Sequence, residues 1–359
     1  MARLTAPAGD RFAHWPRGAA IAVLAGFALL LGAAAWTYPS RPAPKPAAAS
    51  TVRPAERDRD LILYAAIAQR VAAGESYYRA AVTEQRARGF PVRPGAAVRL
   101  PTFAYVTAWL GTRGLAALGA ALALAVLAAW WRRLGEEPGG PPRRIAALAL
   151  IAFGAAMATR PAYAMLHEVW AGMLLALAFA LHRPGRWTGA WLAAAAALAI
   201  REHAAPFVLL LAALAAWRRD GRELAAWCGL LLLFCAGLAL HWRAVDALLV
   251  AGDRASPPWL VLRGLPGWTG NLVTSSLLHH LTGPLAAPLA LLPLIGWAGW
   301  RSPAGLTGML LHLGYGVLFM LAGRANNFYW AMLVTPTWFL GLAFAPMALR
   351  SLWRSARGA

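Results

Sequence analysis

The chain is poor in charged residues, and acids and cysteines are especially scarce. Only 13% of its 359 residues are charged and only 14 are Asp or Glu, whereas a soluble globular domain carries about 25% charged residues. This excludes an ordinary soluble domain, and a hydrophobic fraction of 60% excludes a disordered chain. Two cysteines, Cys228 and Cys235, cannot form a disulfide framework or an all-cysteine zinc site. We expect both to be packing residues.

Long apolar runs, separated by short segments rich in Arg, Pro and Gly, fill most of the chain. A transmembrane helix needs about 20 mostly apolar residues, and lipid favours helices because it offers no partner to bare backbone groups. The expected fold is an all-α polytopic membrane protein, with residues 1–359 forming a single integral membrane domain. The ten predicted spans are 19–36, 114–131, 145–159, 168–182, 187–200, 203–217, 224–241, 283–300, 305–322 and 329–349.

The net charge of +20 would indicate a nucleic-acid partner in a soluble protein. In this chain, the positions of the positive charges indicate how the chain is oriented in the membrane. With the N-terminus inside, the short inner segments hold sixteen arginines and the short outer loops hold six, as the positive-inside rule requires. The long outer loop is left out of this comparison because long loops cross the membrane regardless of their charge. This threading predicts a cytoplasmic tail at 1–18, an outer loop at 37–113, a helical bundle at 114–349 and a cytoplasmic C-terminus. No nucleic-acid partner is expected. The Ala- and Arg-rich composition indicates a bacterial inner membrane, and we expect the first span to be retained rather than cleaved.

The long outer loop divides into a linker and two helices. Residues 37–55 are rich in Pro and Ala, which predicts an extended linker. Apolar residues recur at helical spacing across 58–73, and Gly74 suits the end of that helix. A second helix is expected near 76–88. Both should be amphipathic helices that lie on the outer membrane surface with their apolar sides down.

Asp60 opens the first of these helices, on the same face as Tyr64, Ile67 and Val71. An acid in the first turn commonly stabilises a helix through its dipole, and spacing alone favours that role. The functional alternative is a general base that deprotonates a hydroxyl in a membrane cavity. With Asp58, Asp60 could also hold a divalent cation, so the cofactor requirement stays open. No set of His and Cys residues has metal-ligand spacing, so no metal site is predicted.

Further charged residues stand at the outer tips of short hairpins. Three predicted spans (145–159, 187–200 and 203–217) reach about 22 Å, which is less than the ~30 Å hydrocarbon core, so they could border a water-filled cavity. Glu168 could be a first-turn acid or a cavity residue. The consecutive residues at 201–203 should splay around a helix, so we expect that not all of them face one cavity. The residues at these tips are Arg160, His167, Glu168, Arg201, Glu202 and His203.

Four segments resemble the C-type polytopic membrane glycosyltransferase superfamily, whose bacterial members use polyprenyl-phosphate sugars. In residues 60–78, Asp60 precedes Tyr64, an Ile-Ala pair, Gly74 and a Tyr pair, which is similar to the first outer loop of that family. The other similar segments are His-Glu-Val-Trp-Ala-Gly at 167–172, Arg-Glu-His-Ala-Ala-Pro-Phe at 201–207 and Arg-Ala-Asn-Asn-Phe-Tyr-Trp at 324–330.

The resemblance implies an activity and a set of site residues. A sugar would pass, with inversion, from a polyprenyl-phosphate donor to an acceptor hydroxyl on the outer face of the membrane, with Asp60 as the base. Arginine suits the departing lipid phosphate because its planar group donates two hydrogen bonds. The implied partners are the lipid donor and membrane lipid. The residues implied beside the base are Asp58, Tyr64, Arg160, Glu168, Arg201, Glu202 and Arg324.

Two other functions fit the same sequence. A lipid or solute carrier, such as a flippase, would use the cavity charges as substrate ligands, although no internal repeat is visible. A non-catalytic membrane scaffold with the same fold would need Asp60 and Arg201 only for stability. The sugar, the acceptor and the oligomeric state do not follow from the sequence.

Overall fold

The structure is a computed structural model that describes residues 9–38, 56–159 and 163–358. Within these residues the chain is helical and has no β-strand, as the sequence predicts. The linker predicted at 37–55 lies almost wholly outside them. The α-helices are α1 (Arg17–Thr37), α2 (Glu56–Ala72), α3 (Tyr77–Ala87), α4 (Thr102–Glu136), α5 (Arg144–Ala155), α6 (His167–Leu181), α7 (Thr188–Ile200), α8 (Ala205–Trp217), α9 (Gly221–Asp246), α10 (Gly264–Thr274), α11 (Gly283–Leu291), α12 (Pro293–Gly299), α13 (Pro303–Leu321), α14 (Thr335–Trp338) and α15 (Ala345–Arg357).

Four helical segments of the described chain are long and apolar enough to cross a membrane, which makes the protein a helical membrane protein. They are α1, α4 together with the turn before it (Gly95–Glu136), α9 and α13. They correspond to the predicted spans at 19–36, 114–131, 224–241 and 305–322. Other predicted spans correspond to shorter apolar helices such as α6, α7 and α8. Both cysteines are exposed on α9, so the prediction that they are packing residues is wrong.

The two helices predicted in the outer loop are present as α2 and α3, with ends close to those expected. On α2, Tyr64, Ile67 and Val71 are buried on one face. That face packs against the chain itself: the Tyr64 ring meets the His167 ring edge-on, with centroids 4.7 Å apart. The expectation that α2 lies on lipid with its apolar side down is therefore wrong, because α4 and α6 cover that side.

The segments near both chain ends meet at one end of the bundle, which we call the terminal end. The hydroxyl of Ser351 donates to the carboxylate of Asp10, and the Trp300 indole donates to the Pro138 carbonyl at 2.8 Å. These contacts gather segments that were all predicted to lie on the inner side. The segments predicted to lie outside contact one another elsewhere, at the opposite end of the bundle.

Helix α4 breaks at Gly111, whose φ of 61° and ψ of −174° are not helical. Glycine adopts a positive φ without the steric penalty that a Cβ imposes. The break separates residues 102–110 from the apolar stretch after it, close to the predicted end of the outer loop at residue 113. The first part of α4 is thereby free to follow the end of the molecule opposite the terminal end, where Phe103 and Thr107 line a cavity.

The predicted span at 329–349 is not one α-helix. Helix α14 alternates with 3₁₀ segments at Ala325–Leu333 and Phe339–Ala343, and α15 follows them. Pro336 and Pro346 stand in the first turns of α14 and α15. Because proline lacks an N–H and its ring clashes with the preceding turn, each proline begins a new helix. Proline likewise opens α12, where the predicted span at 283–300 divides.

Helices α5 and α6 pack unusually close to this irregular segment. A Cβ at Gly172 would overlap with the carbonyl oxygen of Met332, and one at Gly154 would overlap with that of Thr335. Only glycine therefore lets these backbones touch. The contact at Met332 lies on the 3₁₀ segment that carries Tyr329, and the contact at Thr335 lies at the start of α14, just after that segment.

Candidate functional site

A cavity of about 580 Å³ lies at the end of the bundle opposite the terminal end. Its walls come from α2, the first part of α4, the turn after α7, the segment before α10 and the turn after α13. The structure thus brings five predicted site residues together: Asp60, Tyr64, Arg201, Glu202 and Arg324. The polar and aromatic residues that line the cavity include Arg59, Asp60, Tyr64, Arg99, His167, Arg201, Glu202, His203, Arg254, Arg324, Asn327, Tyr329 and Trp330.

The other three predicted residues are placed differently. Glu168 is fully buried behind the cavity wall, where it contacts Arg201. Arg160 lies outside the described residues. Asp58 lies on α2 but its side chain is outside the described part, so a divalent cation shared with Asp60 stays a prediction. Among the residues that the structure describes, no three His, Cys, Asp or Glu side chains are grouped as metal ligands.

Asp60 is held by a chain of hydrogen bonds from the far end of the sequence. The Tyr329 hydroxyl donates to Asp60 Oδ2 at 3.2 Å, and it accepts from Asn327 Nδ2 at 3.3 Å. Asn327 Oδ1 in turn accepts from the backbone N–H of Arg324 at 3.0 Å. Because Tyr329 is buried, this chain fixes the carboxylate against the turn that carries Arg324.

Arg201 is the centre of a buried ion cluster. Its side chain is 1% exposed, and its Nε lies 2.7 Å from Glu168 Oε1. Its NH1 atom contacts Glu202. On the other side of Glu168, Arg99 NH2 lies 3.8 Å from the same oxygen, and Arg99 Nε donates to the Tyr64 hydroxyl at 3.0 Å. Charges buried this deeply need such partners, because desolvation strongly disfavours an unpaired ion.

The expectation that Arg201, Glu202 and His203 cannot all face one cavity is wrong, since all three line it. Arg201 is extended (φ −149°, ψ 118°) and the next residues form a single 3₁₀ turn. The three side chains therefore do not follow the 100° steps of an α-helix. The break between α7 and α8 is what turns consecutive residues toward one space.

Arginine dominates the charge of the cavity. Among the described residues that line it, five arginines stand against two carboxylates, Asp60 and Glu202, a formal excess of three positive charges. Burial alone would raise the pKa of Glu202, but the adjacent Arg201 and His203 hold that pKa well below its ordinary value. Glu202 is therefore ionised at neutral pH, and the cavity as a whole still favours an anionic ligand.

Several donors at the cavity are buried and have no hydrogen-bond partner among the described residues. They are Arg201 NH2, Arg324 Nε and Trp330 Nε1. The Trp330 ring also lies against the His203 ring, with centroids 4.2 Å apart. Buried donors are almost always satisfied by protein or by ordered water, so these three donors around one hollow are available to water or to a bound ligand.

One side of the cavity is apolar and continues onto the exposed surface. Trp259 and Leu318 line it. The segment after Trp259 pairs with the end of α13 through a bridge between Leu260 and Ala322. Leu260 and Leu262 are 83% and 80% exposed, so an exposed apolar surface adjoins this side of the cavity.

Arg99 and Tyr329 are the main residues that sequence reasoning missed. Tyr329 stands in one of the family-like segments, but nothing in the sequence pairs it with Asp60. Arg99 is one of many arginines in the outer loop, and only the fold shows that it reaches Glu168. Arg59 and Arg254 were missed for the same reason, although both line the cavity.

No family model, curated protein or solved structure matches the chain. The resemblance to the C-type glycosyltransferases therefore stays a prediction, and function has to be argued from the cavity.

Proposed function

We propose that the protein is a membrane glycosyltransferase that moves a sugar, with inversion, from a polyprenyl-phosphate donor to an acceptor hydroxyl. The observation that carries the proposal is the cavity shared by Asp60, Arg201 and Arg324. A carboxylate and unsatisfied guanidinium donors around one hollow are the groups that such a transfer requires.

The first requirement is a base for the acceptor. In the proposed step, the acceptor oxygen forms a bond to the anomeric carbon on the face opposite the phosphate, and its proton passes to the carboxylate of Asp60. The bond from the anomeric carbon to the phosphate oxygen breaks, and its electron pair leaves with the phosphate. The hydrogen bond from Tyr329 supports this role because a base must be held in a defined position.

The second requirement is positive charge at the departing phosphate, which needs no proton. Arg201 NH2 and Arg324 Nε have no other hydrogen-bond partner in the described chain. Preorganised donors of this kind stabilise negative charge as it develops, without reorganisation during the reaction. The excess of arginine over carboxylate in the cavity supports the same role for the whole site.

The third requirement is access for a lipid tail. The apolar side of the cavity continues to Leu260, Leu262 and Leu321 on the exposed surface. A prenyl chain bound there would lie along acyl-chain-facing residues while its phosphate reaches the arginines.

We further propose ten spans, both termini in the cytoplasm of a bacterium, and a cavity on the outer face of the inner membrane. The location of the cavity opposite the terminal end supports this orientation.

The decisive test is Asp60→Asn in proteoliposomes supplied with polyprenyl-phosphate hexoses and pentoses and with acceptor extracts. Loss of a general base should lower product formation by about 10²- to 10⁴-fold, while the variant remains folded in detergent. Asp246→Asn is the matched control, because Asp246 is exposed and does not line the cavity. Full activity of Asp60→Asn would refute the assignment of Asp60 as the base. Movement of the donor across the vesicle membrane without a glycosidic product would favour a carrier over an enzyme.

A further inference from the structure

A second, smaller hollow lies at the terminal end, far from the proposed active site. Its volume is about 350 Å³, and three of its residues are arginines: Arg143 from the turn before α5, and Arg350 and Arg354 from α15. No acid among the described residues lines it. The remaining lining residues are Pro142, Ala343, Pro346, Met347 and Ser351.

The three arginines have no carboxylate partner within the described chain. The guanidinium of Arg143 instead lies over the Phe344 ring, 5.3 Å from its centroid. Asp10 is the nearest candidate acid, but it is buried and occupied: one oxygen accepts from the Phe12 N–H at 3.0 Å and the other from Ser351. Burial and the charge of Arg350 lower the pKa of Arg143, only partly opposed by Asp10. Asp10 therefore offsets only part of the charge of the three arginines, and among the described residues the hollow keeps a net positive charge.

Helix α15 has the character of a helix at a membrane surface. Met347, Ala348 and Leu352 are buried against the bundle, while Trp353 is 54% exposed. The end of α15 also lies level with the start of the spanning helix α1, because Arg17 Nε donates to the Ala356 carbonyl at 3.1 Å. A tryptophan and several arginines at the end of a span are typical of the lipid headgroup layer.

We propose that the hollow formed by Arg143, Arg350 and Arg354 binds the phosphate of an anionic phospholipid in the leaflet at the terminal end. Guanidinium groups match phosphate oxygens with paired hydrogen bonds, and basic pockets between helices at this depth bind anionic headgroups. Pro346 and Met347 give the glycerol and upper acyl chain an apolar wall. The site is independent of the glycosyltransferase proposal, since it shares no residue with the outer cavity.

The test compares the full chain in nanodiscs of phosphatidylcholine with nanodiscs that also contain phosphatidylglycerol. The anionic lipid should raise the thermal unfolding midpoint of the wild type. Arg350→Gln and Arg354→Gln should each lose most of that rise. Arg357→Gln should keep the rise. This substitution removes the same charge from the same helix, but Arg357 lies outside the hollow and is stacked on Trp353.

Two results would overturn the proposal. An equal rise in all three variants would mean diffuse attraction to a charged bilayer, and an equal rise with millimolar inorganic phosphate in phosphatidylcholine alone would mean a site for soluble phosphate. If a variant is destabilised in phosphatidylcholine, native mass spectrometry decides instead. In that measurement, phosphatidylglycerol should remain bound to Arg357→Gln and be lost from Arg350→Gln, and equal retention by both would refute the site.

Discussion

The ion cluster behind the cavity allows a quantitative test of the fold that needs no substrate. Arg201 and Glu168 are each 1% exposed, with 2.7 Å between Nε and Oε1. Removing one partner of a buried ion pair typically costs about 3–5 kcal/mol, because the other charge is left unpaired. Arg201→Met leaves Glu168 with only Arg99, which is 3.8 Å away, and removes one of the two partners of Glu202, which keeps His203 Nδ1 at 3.0 Å. We therefore expect Arg201→Met to lower the free energy of unfolding by about 3–5 kcal/mol.

The partner variant should be milder. Glu168→Gln leaves Arg201 with Glu202, so a loss of about 1–3 kcal/mol is expected, the cost of an impaired buried hydrogen bond. The double variant should lose less stability than the sum of the two single-variant losses. The difference should be about 0.5–3 kcal/mol, since the two residues are in direct contact. The assay is unfolding by SDS titration in mixed micelles. Strict additivity, or a loss below about 1 kcal/mol for Arg201→Met, would refute this description of the cluster.

Three further predictions follow from other contacts. Tyr329→Phe removes a donor to the proposed base worth about 1.5–3 kcal/mol, so transfer should slow about 10- to 100-fold; unchanged turnover in proteoliposomes would contradict it. Gly172→Val should destabilise the protein by about 1–3 kcal/mol through overpacking, whereas Gly229→Val, where a Cβ meets nothing, should have a smaller effect in the same SDS titration. The hydrogen bond from Arg86 lowers the pKa of Asp253 to about 2. The stability from this pair should be complete above about pH 4 and lost as the pH falls through about 2, and Asp253→Asn should abolish that dependence of the unfolding midpoint.

The parts of the fold that depend on local pattern were predictable from the sequence. Helices α2 and α3 have apolar residues at helical spacing and a glycine stop, and both lie within two residues of their expected bounds. The last apolar stretch was not predictable as a broken segment from hydrophobicity alone. Its length and composition suit a span, and only the steric effect of Pro336 and Pro346 divides it.

The candidate site was predictable only where each residue carries its own signal. Asp60 and Arg201 stand out as rare charges at the edges of apolar runs. Arg99 and Tyr329 do not stand out, because their importance comes from contacts across the fold. The orientation of residues 201–203 depends on one extended backbone position, which a helical pattern conceals.

The cavity that contains Asp60 also has a consequence for the order in which the protein is completed. Its walls combine residues from α2, from the turn after α7 and from the turn after α13, and Tyr329 touches Asp60 across 269 positions of sequence. During synthesis into the membrane, the N-terminal two thirds can insert and pack without forming a finished site. A chain released early would therefore be embedded in the bilayer without a complete cavity, and the last helices to be synthesised would complete it.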